Sequence, residues 1–63
     1  MLTYDPPLGM AIENAARQAI KLARRNKYPI KMIFNGHTVT VHSTMLVMNV
    51  LMLWRDQQAP GDL

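Results

Sequence analysis

Residues 45–54 read MLVMNVLMLW, a run with one polar side chain, Asn49, and no charge. A helix that is apolar all round has to be buried all round. Crossing a bilayer takes about 20 such residues, so protein rather than lipid must supply the cover. The rest of a 63-residue chain can wrap only part of that cylinder, and a second copy is the natural source of the remainder. A domain of this length buries only about 60% of the surface its unfolded chain exposes, and commonly relies on disulfides, a metal or oligomerisation. The chain has no cysteine, which removes disulfides and thiolate metal sites and leaves association. Its apolar share of 49% is that of a folding domain rather than a disordered one.

The strongest local signal lies just before this run. IKMIF and HTVTVH are β-favouring segments on either side of Asn35-Gly36, the dipeptide that suits a two-residue type I′ turn because both central positions need positive φ. A two-residue loop then sets the register. Phe34 faces His37, Met32 faces Val39 and Ile30 faces Val41, which puts five large apolar side chains and one histidine on one face. Lys31, Ile33, Thr38 and Thr40 fall on the other.

Ahead of the hairpin, Asp5-Pro6-Pro7 reads as a helix start, with Asp5 as cap and Pro6 in the first turn. Gly9 weakens that turn, so ordered helix is expected from near Met10. Leu8, Ile12, Ala15, Ala16, Ala19, Ile20, Leu22 and Ala23 recur at helical spacing up to Asn26, and Glu13 is placed to pair with Arg17. After the hairpin, Ser43 and Thr44 offer caps to a second helix from Met45 to about Gln58, with a third strand as the alternative. Residues 1–4 and 59–63 are expected to fray around a single domain spanning 1–63. The architecture is α+β: helix, two-stranded antiparallel hairpin, helix. Met45, Met48, Asn49, Met52, Leu53 and Trp54 form the expected homodimer interface, with Asn49 setting register if it meets its own copy.

Little in the chain points to catalysis. His37 and His42 are an odd number of residues apart, so on a strand they point to opposite faces and cannot share a metal. Asp5, Glu13, Asp56 and Asp62 lie towards the two ends, and no serine or threonine has an evident base. The reading is non-enzymatic, with no cofactor or metal. MLTYDPP lacks the basic and apolar regions of a signal peptide, which together with the short apolar run points to a cytoplasmic protein outside the membrane.

Two surfaces remain as candidates for binding. Arg17, Lys21 and Arg24 share one side of the first helix, with Arg25 and Lys27 nearby, in a chain of net charge +3. Such a stripe can neutralise phosphates, or it can be a solvated face. Met32, Met45, Met48 and Met52 can fill a core or form an adaptable partner surface, and Trp54 can anchor an interface or close the chain's own core.

The overall length, the MLTYDPPLGM opening and the NGHTVTVH hairpin resemble the small early-region proteins of lambdoid bacteriophages, encoded between the exonuclease and excisionase genes. The resemblance implies a protein of the bacterial cytoplasm that influences host physiology or the choice between lysis and lysogeny. It carries over no catalytic or ligand residue. The function read from the chain is therefore a small regulatory adaptor, a homodimer that contacts a host or phage protein. The alternative is a weak nucleic-acid binder using the basic helix.

Overall fold

The computed structural model describes residues 2–58. It is an α+β fold with a three-stranded mixed sheet on which two helices lie, in the chain order β1 (Leu2–Tyr4), α1 (Ile12–Asn26), β2 (Ile30–Phe34), β3 (His37–Val41), α2 (Val47–Gln58). The sheet order is β1-β2-β3. The hairpin forms in the register its turn demands, Phe34 opposite His37, Met32 opposite Val39 and Ile30 opposite Val41. Asn35 and Gly36 sit at φ 51° and 79°, both positive as a type I′ turn requires. Ile30, Met32, Val39 and Val41 are buried, while Lys31, Thr38 and Thr40 are exposed on the opposite face.

The third strand corrects the helix–hairpin–helix expectation. Leu2–Tyr4, expected to fray, pair in parallel with β2, Leu2 against Ile30, Thr3 against Lys31 and Tyr4 against Met32. A three-residue strand has too little alternation to be read locally; it exists because the first edge of β2 is available to it. α1 is then the crossover of a βαβ unit.

Asp5 does not cap a helix. The residue before a proline is pushed to extended backbone, and Asp5 and Pro6 both precede prolines, so the chain runs on past β1 instead of coiling. It then turns, with the Met10 N–H donating to the Pro7 carbonyl at 3.3 Å and Gly9 at φ 89°. Positive φ at the third position of such a turn is what glycine supplies. α1 begins only at Ile12, after Ala11, which makes no side-chain cap. Leu8, expected on its apolar face, is fully exposed on the turn. The rest of that face is as the periodicity has it. Ala15, Ala16, Ala19, Ile20 and Ala23 are buried, and four of the five are alanines, so α1 lies close against the sheet. At its end Lys27 takes the left-handed conformation, φ 60°, and its N–H donates to the Ala23 carbonyl at 2.9 Å.

The apolar run is helical from Val47, two residues later than expected, and neither Ser43 nor Thr44 caps it. The carbonyl oxygen of the Asn49 side chain instead accepts the Leu46 N–H at 2.9 Å, while the Asn49 N–H donates to the Leu46 carbonyl at the same distance. This is the reach-back half of a capping box. The N–H of Met45 donates to the His42 carbonyl, and Arg24 Nε to that of Ser43, which ties the connection to α1. Residues 59–63, expected to fray, and Met1 lie outside the described residues.

Candidate functional site

The apolar run is divided by the fold into an inner and an outer side. Val50 is fully buried, and Val47, Leu51 and Trp54 are half-buried. Trp54 packs against the turn end of the hairpin: its indole N–H donates to the Phe34 carbonyl at 2.9 Å. Its ring also meets Phe34 edge-on at 5.4 Å and His37 at 6.4 Å. Opposite lies an outer face on which Leu46 and Met48 keep 66% of their surface exposed, Met52 56% and Leu53 45%. Asn49 is exposed among them, its side-chain oxygen already engaged by the helix start.

Of the six residues proposed for an interface, Met48, Asn49, Met52 and Leu53 therefore share this outer face, whereas Met45 and Trp54 pack against the chain's own core. Leu46 belongs with the exposed group although the sequence reading left it out. The signal was present, because Leu46, Asn49 and Leu53 follow three- and four-residue helical spacing.

The basic residues lie on the other helix. Arg17, Lys21, Arg24, Arg25 and Lys27 are all exposed. Arg17, Lys21 and Arg24 line one shallow groove of about 210 Å³ together with Met45, Leu46 and Val47. Arg17 does not bond the expected Glu13; its Nη1 donates to the Asn14 side-chain oxygen at 3.2 Å. Arg25 and Lys27 stand outside this groove. His37 is half-buried against Trp54 and His42 exposed beyond the end of β3. Among the described residues no group of three or more histidine, cysteine, aspartate or glutamate side chains is placed to hold a metal, and no helix is long and apolar enough to cross a membrane.

A scan of protein-family models and searches of curated proteins and of solved structures each return no match. Chemistry on the surface is thus the basis for a functional reading. What the arrangement offers is contact: an apolar helix face of four large side chains and, on α1, a cationic one.

Proposed function

We propose that the chain is a small, non-enzymatic regulatory adaptor that acts by protein–protein contact and assembles as a homodimer through the outer face of α2. The observation that carries this reading is the grouping of Leu46, Met48, Met52 and Leu53, all between 45% and 66% exposed. Single exposed leucines are common on soluble proteins; four large apolar side chains exposed between Leu46 and Leu53 are more than chance exposure and point to an interaction site. Fully burying one such side chain is worth about 1.5–3 kcal/mol. The four together expose a little more than two side chains' worth of surface, so covering them recovers about 3–7 kcal/mol per chain. The resemblance to lambdoid early-region proteins supplies the setting, a cytoplasmic regulator with a host or phage protein as further partner.

Sedimentation equilibrium tests the assembly. A dimer at micromolar concentration is the expected result, with Met52→Glu plus Leu53→Glu sedimenting as a folded monomer. A wild-type chain that stays monomeric at high micromolar concentration refutes the homodimer.

The groove shared by Arg17, Lys21 and Arg24 favours a second reading, sequence-tolerant nucleic-acid binding by α1. Binding to labelled duplex DNA should then weaken steeply as salt is raised, and Arg17→Ala plus Lys21→Ala should flatten that dependence. No binding at low salt removes this reading.

A further inference from the structure

The sheet has two edges, and they are protected differently: β1 by its own shortness and prolines, β3 only in part, by side chains of α2 and the connection before it. β1 is three residues long and runs into Asp5-Pro6-Pro7. Short length and proline are the devices by which proteins discourage strand addition. β3 has neither. His37–Val41 carries no charged residue such as lysine and no proline, and both its threonines are exposed.

The register shows which backbone groups that edge presents. Across a two-residue turn the flanking pair, Phe34 and His37, is hydrogen-bonded, and the pattern alternates from there. Val39 and Val41 therefore bond β2, while Thr38, Thr40 and His42 aim their backbone groups away from it. Gln57 Nε2 donates to the Thr38 carbonyl, and the His42 N–H donates to Met45 Sδ at 3.1 Å. Among the hydrogen bonds of the described residues, none engages the N–H or carbonyl of Thr40 at this edge. Beside it lies a groove of about 590 Å³ between β3 and α2, in which Thr38 and Thr40 face Met45, Leu53, Asp56 and Gln57.

We infer that two copies join β3 edge to β3 edge, antiparallel about Val39, in one continuous six-stranded sheet. This inference rests on the homodimer proposed above and adds the β3 edge to its contact; of the four outer side chains of that contact, Leu53 borders the groove beside this edge. Pairing about Val39 is self-complementary, because Thr38 of each copy falls opposite Thr40 of the other and both pairs can exchange N–H and carbonyl bonds. Gln57, exposed, moves off the Thr38 carbonyl to admit them. α2 runs back along β3, from its start beyond Val41 to Gln57 beside Thr38. The same two-fold axis therefore sets the two copies of α2 side by side and head to tail.

Charge then matches as well. Asp56, in the last turn of one α2 and bordering the β3 groove, approaches the start of the other α2, where the helix end is itself partly positive. Leu53 and Met45, on the groove side, are covered in the process. A stable interface takes about 800 Å² from each partner, and the chain exposes 4384 Å².

The test combines sedimentation equilibrium with amide hydrogen exchange, on wild type and Thr40→Pro. Proline at this site removes an N–H that faces away from β2, so the hairpin ladder keeps its bonds. The expected result is a wild-type dimer whose Thr40 amide is protected at high concentration and exposed on dilution. Thr40→Pro should keep the wild-type circular dichroism and associate at least about tenfold more weakly, each copy having lost one cross-axis bond. A dimer whose Thr40 amide exchanges freely at every concentration, and whose Thr40→Pro variant associates like wild type, overturns the edge pairing and leaves the α2 interface standing. A monomer at all concentrations overturns both. Should Thr40→Pro fail to fold, the concentration dependence of the wild-type amide decides alone.

Discussion

Trp54→Phe separates a side chain that closes its own fold from one that anchors a partner. In the structure Trp54 holds the last helix to the hairpin in two ways, by the 2.9 Å bond from its indole N–H to the Phe34 carbonyl and by edge-on contact with Phe34 and His37. Phenylalanine keeps a ring but loses the donor, which costs about 0.5–1.5 kcal/mol. The shorter ring also reaches less of Phe34 and His37, and edge-to-face pairs are worth about 0.5–1.5 kcal/mol. Losing the bond and part of that contact gives about 1–2 kcal/mol. Trp54→Ala, which empties the site, should cost about 3 kcal/mol, the low end for tryptophan truncation because the residue is only half-buried. A chain of 63 residues at ordinary stability has about 3–9 kcal/mol in all, so both changes are measurable. Urea denaturation followed by far-ultraviolet circular dichroism, at two protein concentrations, is the assay. The destabilisation should be the same at each concentration, since the contacts lie within one chain. A loss below about 0.5 kcal/mol, or one that appears only as weaker association, would show that Trp54 does not close the fold as argued.

Three further changes probe the local geometry. Gly36→Val should destabilise by about 1–2 kcal/mol through φ alone, because a side chain there would meet open space; unchanged denaturation would exclude the positive-φ turn. Lys27→Gly should stabilise by about 0.5–1 kcal/mol, by relieving the left-handed residue that ends α1, and a raised urea midpoint is the sign to look for. Asn49→Ala should cost about 0.5–1 kcal/mol through the lost bond to the Leu46 N–H, with early exchange of that amide as its signature.

The sequence by itself determined the elements whose causes are local. Asn35-Gly36 sets a turn, the turn sets a register, and strict alternation assigns Ile30, Met32, Val39 and Val41 to one face; each step depends on neighbours within a dozen positions. The alanine-rich face of α1 belongs to the same class, because helical spacing alone collects Ala15, Ala16, Ala19 and Ala23. Tertiary structure decided the rest. Leu2–Tyr4 is a strand only because β2, nearly thirty residues on, lends it an edge, and three residues contain no period from which that can be read. Nothing local to Asn49 says that its side-chain oxygen will accept the Leu46 N–H; the position at which α2 begins decides that. The run from Met45 to Trp54 is apolar in every direction, so its pattern cannot say which side meets the hairpin. That choice came from the short connection after β3 and from Trp54 finding the Phe34 carbonyl, which turned Val50 inward and left Leu46, Met48, Met52 and Leu53 outside.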